Sequence, residues 1–200
     1  MKPNKDSALI VTDVQIDFCP GGALQVKDGD KIIPVLNKYI EIFEKEGLPV
    51  YYTRDWHPSN HCSFIGNGGI WPLHCLQGSK GAEFHPELKI TSNACMIYKA
   101  TNPEKEAYST FEHTDLHENL KKQKIHMLYI GGLATDYCIK NSVIDACHLG
   151  YKVFVLMDGI KGVEVNPGES ARALRMMKDV GSTFLQLNSL AEPAASSIES

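Results

Sequence analysis

Short apolar runs alternate with helical segments along almost the whole chain. The runs are continuous rather than alternating in polarity, which is typical of parallel strands that are covered on both faces. Six of these runs are predicted to be strands, at residues 8–14, 49–54, 94–98, 125–130, 152–157 and 183–187.

Helical periodicity fills most of the intervals between these strands. Within residues 30–46, Leu36, Ile40 and Phe43 recur at helical spacing, and Gly47 marks the end of the helix. Three more helices are predicted, near residues 115–122, at 135–149 and at 169–178. The alternation predicts an α/β fold, a three-layer sandwich whose central six-stranded, mainly parallel sheet carries helices on both faces.

One interval, residues 55–89, follows neither period. It is rich in Gly, Pro, His and aromatic residues, and long irregular segments inside compact domains are usually functional or disordered. Its two tryptophans, four histidines and two cysteines indicate order. We expect a single domain over residues 1–190 that contains this irregular insertion, followed by a frayed tail at residues 191–200.

Composition narrows the classes of ligand. The 200 residues are 43% hydrophobic and 22% charged, as in one globular domain that folds without disulfides or metal. The net charge is −4, and neither sign forms a long run. This balance argues against nucleic acid or a membrane surface as partner and favours a small molecule.

The amino terminus and the cysteines bear on location. The first apolar run is too short for a signal peptide or a membrane span. The six cysteines stand singly, without Cys-x-x-Cys pairs. We therefore predict reduced thiols in a cytoplasmic protein.

Four reactive side chains fall at the carboxyl ends of four predicted strands. They are Asp13, Asp55, Lys99 and Cys138. Ligands of open parallel sheets bind beyond this edge. An aspartate at a strand end is usually a cap or turn former and a lone lysine is usually solvated, but their joint placement indicates an active site.

Cys138 has the most specific setting of the four. It follows a Gly-Gly strand end in what should be a helix's first turn, capped by Thr135 or Asp136. Free backbone N–H groups and the helix dipole there favour the thiolate, which predicts a lowered pKa, and the same groups suit an oxyanion. The plain alternative is a small buried hydrophobe.

A thiol nucleophile needs a proton acceptor and a counter-charge. No histidine stands at a strand end, but Asp13 can accept the proton of Cys138 if burial raises its pKa. Lys99 would then stabilise the thiolate and the oxyanion. The three residues form a chemically consistent set.

The irregular segment carries a second set of candidate residues. Asp55 and His57 are two apart and point to the same side of an extended chain, and His74 completes a carboxylate and two imidazoles. Such a set leaves coordination positions open, as in catalytic sites, and suits zinc, iron and manganese alike. His61 is either a further ligand or an orienting group beside the ligands.

Taken together, these motifs resemble the nicotinamidases of the isochorismatase-like cysteine hydrolase family. The similarity runs from residue 8 to about residue 184. It rests on Val-Thr-Asp13-Val-Gln-Ile-Asp-Phe18, Thr-Arg-Asp55-Trp-His57-Pro-Ser-Asn-His61, Gly-Gly-Ile-Trp71-Pro-Leu-His74-Cys, Tyr-Lys99-Ala and Gly-Gly-Leu-Ala134-Thr-Asp-Tyr-Cys138. Ala100 and Thr110 depart from the family pattern.

The resemblance implies a role for each matching residue. It implies a catalytic triad of Asp13, Lys99 and Cys138, and one divalent ion, usually zinc, on Asp55, His57 and His74. It also implies a cis peptide before Ala134, an oxyanion hole from the N–H groups of Ala134 and Cys138, and aromatic walls from Phe18, Trp71 and Tyr108.

The function implied by the resemblance is hydrolysis of nicotinamide to nicotinate and ammonia through a Cys138 thioester, for pyridine-nucleotide salvage. Self-association into a homo-oligomer is common in such hydrolases. One alternative is a related amidase that acts on another small amide or carbamoyl compound. Another is a metal-binding or redox-sensing module in which Cys138 is regulatory.

Overall fold

Six strands and four α-helices make up the regular structure in the computed structural model, which describes residues 2–190. The predicted tail lies outside the described residues. The strands are β1 (Ser7–Thr12), β2 (Val50–Asp55), β3 (Cys95–Lys99), β4 (Met127–Leu133), β5 (Lys152–Lys161) and β6 (Thr183–Leu185). The helices are α1 (Ile33–Lys45), α2 (Leu116–Lys122), α3 (Lys140–His148) and α4 (Glu169–Asp179).

The strands form one sheet in the order β3-β2-β1-β4-β5-β6. Every pairing in this sheet is parallel, which confirms the predicted fold class. From β1 the chain first proceeds to β2 and β3 on one side, and then crosses to β4 on the other. The order therefore reverses between β1 and β4, where ligands of such sheets bind.

Side chains of β1 alternate between the two faces of the sheet. Leu9 and Val11 pack in the core layer that contains α1, whereas Ala8 and Ile10 belong to the layer that contains α2, α3 and α4. All six residues of β1 are buried. One α-helix therefore covers one face of the sheet, and three cover the other.

Two predicted helices start differently from expectation. A 3-10 turn at Gly29–Ile32 precedes α1, and a π-helical turn at Thr135–Ile139 precedes α3. The predicted cap by Thr135 or Asp136 is wrong, because Ala134 occupies that position and no side chain caps the turn. Asp136 instead turns toward the loop after β5.

The irregular segment is held by side chains from the loop after β1. Its only helical turns are short 3-10 turns at Ile65–Asn67 and Lys80–Ala82. Gln15 Nε2 donates to the carbonyls of Asp55 and Ala82, at 2.9 and 3.0 Å, and Gln15 Oε1 accepts from the N–H of Asp55. One buried glutamine thus links Ala82, in the irregular segment, to Asp55, at the end of β2.

Within residues 2–190, no helix combines the length and the apolar character that crossing a bilayer requires.

Close approach of β1 and β4 depends on a glycine at the sheet edge. Gly132 has a φ of 123°, and a Cβ there would lie 2.0 Å from the carbonyl oxygen of Thr12. We expect Gly132→Ala to lower the free energy of unfolding by more than about 2 kcal/mol, since it combines backbone strain with overpacking.

The matched control for this substitution is Gly47→Ala. Gly47 has a φ of 66°, but nothing lies within 4 Å of its added Cβ. Only the left-handed backbone is then penalised, by about 1 kcal/mol. Denaturant unfolding of both variants measures the difference, and equal losses would contradict the steric argument.

Candidate active site

A cleft opens where the loops after five strands, β1 to β5, converge at the carboxyl edge of the sheet. Its empty volume is about 440 Å³, a figure that includes open solvent at the mouth. Eight of the predicted site residues line it: Phe18, Asp55, His57, Trp71, His74, Tyr108, Ala134 and Cys138.

Lys99 lies at the inner end of this cleft, as the last residue of β3, and is 1% exposed. Its Nζ lies 3.0 Å from Asp13 Oδ2 and 3.4 Å from Cys138 Sγ. It also forms an ion pair with the carboxylate of Asp55 and donates to the carbonyl oxygen of Ala107 at 3.3 Å. The structure therefore brings the three predicted catalytic side chains together.

Asp13 follows β1 directly and is fully buried. Thr53 Oγ1 donates to its Oδ1 at 2.7 Å, and its own N–H donates to the carbonyl of Thr53 at 3.1 Å. Burial raises the pKa of Asp13 to about 6, against the opposing effect of the Lys99 ammonium. A carboxylate with this pKa is a stronger base than an ordinary aspartate.

The electrostatics of Cys138 differ from expectation. Burial, together with the charges of Asp13 and Asp55, raises the pKa of the Cys138 thiol well above its ordinary value, although Lys99 acts in the opposite direction. The predicted lowering of this pKa is therefore wrong. The cost of burying a thiolate exceeds what a helix start and one ammonium supply, so the resting sulfur is protonated.

Asp55 joins this cluster to the histidines. It ends β2, and its Cα is the register partner of Lys99 on β3. Burial alone would raise the pKa of Asp55, but the Lys99 ammonium holds it below its ordinary value. Asp55 is therefore an ionised carboxylate that faces both the lysine and the irregular segment.

The rings of His57 and His74 are prepared for metal binding. His57 Nδ1 lies 3.2 Å from the carbonyl oxygen of His74, and His74 Nδ1 lies 2.7 Å from that of Pro72. A carbonyl only accepts, so each Nδ1 carries the hydrogen and each Nε2 keeps its lone pair. Burial lowers the pKa of His57 to about 4, which keeps this ring neutral.

Asp55, His57 and His74 offer ligand atoms that all lie within 4.8 Å of one another. One anionic oxygen and two imidazole nitrogens fit a divalent ion and leave further coordination positions open. Histidine ligands that donate their other nitrogen to a backbone carbonyl are the usual arrangement at such ions. The donor set therefore fits the predicted ion.

His61 lies beside this set. Its ring centroid is 4.6 Å from that of His57, and one of its ring nitrogens lies within 4.8 Å of possible ligand atoms of His57 and Glu106. Both of its ring nitrogens are already in contact with polar atoms, Nδ1 with Ser63 Oγ at 2.8 Å and Nε2 with the carbonyl of Lys105 at 3.0 Å.

The three predicted aromatic residues line the same cleft. Trp71 Nε1 donates to the Tyr108 hydroxyl at 2.9 Å, and the ring centroid of Phe18 lies 5.6 Å from that of His74. Flat apolar walls with few polar groups suit a planar aromatic ligand. A cis peptide joins Leu133 to Ala134, as the resemblance implied.

Several residues that line the cleft were not predicted. Tyr137 stands within the cysteine motif and contacts Trp71, with ring centroids 5.0 Å apart. Glu106 precedes the predicted Tyr108 by two residues, so proximity in sequence could have identified both. Val163 carries no such signal, because it comes from the loop after β5.

Val163 is held against the cleft by Asp136. The carboxylate of Asp136 accepts from the N–H groups of Val163 and Glu164, at 2.9 and 2.7 Å. Asp136 is 4% exposed, and a buried carboxylate needs such partners. The loop after β5 is therefore fixed to the turn that carries Cys138.

Known proteins are similar to this chain in sequence. Residues 7–189 match the isochorismatase domain family. The nicotinamidase of Escherichia coli strain K12 is 40% identical over 201 residues, which cover 90% of this chain and 94% of the relative.

Solved structures give the same result. The pyrazinamidase of Pyrococcus horikoshii in complex with zinc superposes with a TM-score of 0.87 and 47% identity, over 91% of this chain and 99% of the other. PnC1 from L. infantum in complex with nicotinate has a TM-score of 0.87 and 31% identity, over 95% and 97%.

Zinc is expected to raise the thermal unfolding midpoint of metal-free protein, because a ligand of the native state stabilises it. The gain is about 2.7 kcal/mol at a free concentration of 100 times the dissociation constant. His74→Ala should remove most of this gain, whereas His148→Ala, at an exposed position in α3, should keep it.

Scanning calorimetry with and without zinc, combined with metal analysis, checks this prediction. A His74→Ala protein that zinc stabilises as strongly as it stabilises the wild type would contradict the ligand assignment.

Proposed function

Because the chain belongs to the isochorismatase family, we propose that it is a nicotinamidase, which hydrolyses nicotinamide to nicotinate and ammonia. The named relatives support this substrate. The observation that carries the proposal is the meeting of Asp13, Lys99 and Cys138 at a cleft that also holds the Asp55, His57 and His74 donor set.

In the proposed first half of the reaction, the proton of the Cys138 thiol moves to Asp13. The sulfur then attacks the carboxamide carbon of nicotinamide, and the N–H groups of Ala134 and Cys138 stabilise the oxyanion. Asp13 returns the proton to the leaving nitrogen. The C–N bond breaks, ammonia departs, and the nicotinoyl group stays on sulfur as a thioester.

In the second half, water attacks the thioester carbon and gives up a proton to Asp13. The C–S bond breaks and the proton on Asp13 passes to sulfur, which restores the enzyme. The second proton of the water is on the product carboxyl group and is lost to solvent when the product leaves as nicotinate. The raised pKa of Asp13 suits a group that takes and returns a proton twice in each turnover.

Lys99 keeps the charge balanced throughout. Its ammonium compensates the carboxylate of Asp55 and whichever of Asp13 or Cys138 is negative at a given step. Both carboxylates raise the pKa of Lys99 well above its ordinary value, although burial acts in the opposite direction. The residue is therefore assigned a fixed positive charge and no proton transfer.

The metal and aromatic residues are assigned to substrate placement. Asp55, His57 and His74 would hold the divalent ion, most simply zinc, which supplies Lewis acidity and a template for the ring when bound. Phe18, Trp71 and Tyr108 line the cleft and would enclose the planar ring. Tyr108 accepts from Trp71, so the two walls are positioned relative to one another.

The proposal also covers the cellular location and the self-association of the protein. Each of the six cysteines is free, which supports a reducing, cytoplasmic location. Self-association into a homo-oligomer stays a prediction, and light scattering of the purified protein measures it.

Cys138→Ala is expected to lower kcat/KM for nicotinamide by about 10³-fold or more, because the covalent nucleophile is lost. Cys147→Ala is the matched control, since Cys147 is a half-buried thiol that packs on the core of the α2, α3 and α4 face. Ammonia release measures both variants, and intact mass spectrometry of quenched wild-type enzyme should detect the nicotinoyl adduct.

Near-wild-type deamidation by Cys138→Ala would contradict the covalent mechanism. The same assay over a panel of small amides tests the substrate. A strong preference for an amide without a pyridine ring would replace nicotinamide as the substrate and leave the roles of the three catalytic residues unchanged.

A further inference from the structure

His61 is a fully buried histidine whose surroundings define its tautomer. The N–H of Ser63 donates to His61 Nδ1 at 3.2 Å, and Ser63 Oγ lies 2.8 Å from the same nitrogen. An atom that accepts from a backbone N–H carries no hydrogen. The hydrogen of the neutral ring is therefore on Nε2, which donates to the carbonyl of Lys105 at 3.0 Å.

In this tautomer neither nitrogen offers a lone pair to a cation. Binding through Nδ1 would displace the contacts with Ser63, and binding through Nε2 would remove the hydrogen and leave the Lys105 carbonyl without its donor. His57 and His74 show the opposite arrangement, with Nδ1 protonated and Nε2 available. His61 therefore differs in tautomer from His57 and His74, although the three rings are close in space.

The bond from His61 to Lys105 joins two loops that both line the cleft. A second bond lies beside it, from the N–H of Cys62 to the carbonyl of Pro103 at 2.7 Å. The residues that follow Lys105 are Glu106, Ala107 and Tyr108, all of which line the cleft. The carbonyl of Ala107 also accepts from Lys99.

We infer that His61 is a positioning residue that clasps the loop 103–108 onto the metal-binding segment, and that it is not a metal ligand. Through Lys105 it sets where the Tyr108 ring and the Glu106 carboxylate face the substrate. The kinetic part of this inference rests on the proposed nicotinamidase function, whereas the metal-binding part does not.

Two amide substitutions separate the clasp from a ligand. The side-chain amide of His61→Asn reaches the position of Nδ1, so it keeps the contact with Ser63 and loses the bond to Lys105. The amide nitrogen of His61→Gln reaches the position of Nε2 and can still donate to Lys105. Neither amide replaces an imidazole as a zinc ligand.

Zinc dissociation constants from chelator competition should stay within about threefold of wild type in both variants, with His148→Gln as the control. KM for nicotinamide should rise about tenfold in His61→Asn and less than about threefold in His61→Gln, with a smaller change in kcat than in KM. Hydrogen exchange of the peptide over 102–110 should accelerate in His61→Asn and remain slow in His61→Gln.

Three outcomes would overturn the inference. Loss of zinc affinity by tenfold or more in both variants would make His61 a ligand. Equal KM values in the two variants, or equal exchange rates in the 102–110 peptide, would remove the positioning role. Absence of deamidation by the wild-type enzyme would count against the proposed function, while zinc affinity and hydrogen exchange would still decide the role of His61.

Discussion

A buried ammonium group determines how this molecule is built around its cleft. Lys99 is almost inaccessible to water, so its charge must be matched nearby, and Asp13 and Asp55 provide that match from the ends of two neighbouring strands. Asp55 and Lys99 are register partners across β2 and β3. A slip of one residue would turn one of them to the other face of the sheet, so the pairing of the strands and the charge balance depend on each other.

The same carboxylate connects two kinds of chemistry. Asp55 neutralises Lys99 and also belongs to the donor set with His57 and His74. A cation placed beside Asp55 therefore changes the field at Lys99, and through it the balance between Asp13 and Cys138. The nucleophilic and metal-binding parts of the cleft are electrostatically one unit, although their residues come from widely separated stretches of the chain.

Much of this arrangement could be predicted from the sequence, because strand ends in a parallel sheet share one edge. Continuous apolar runs located β1 to β4, and the reactive residues at their ends then had to converge. The pKa of Cys138 could not be predicted in the same way, since burial and neighbouring carboxylates are properties of the folded state. The helix cap also could not be predicted, because the carboxylate of Asp136 accepts hydrogen bonds from Val163 and Glu164, which are distant in sequence.

The nucleophile and one wall of the cleft come from different connections of the chain. The hydrogen bonds between Asp136 and the loop after β5 join these two connections. Cys138 lies on the connection after β4, whereas Val163, on the connection after β5, contributes a wall of the cleft. A different side chain at position 163 changes the shape of the cleft, whereas the hydrogen bonds to Asp136 come from backbone N–H groups and stay in place. Substrate selectivity can therefore diverge among related proteins without any change in the catalytic residues.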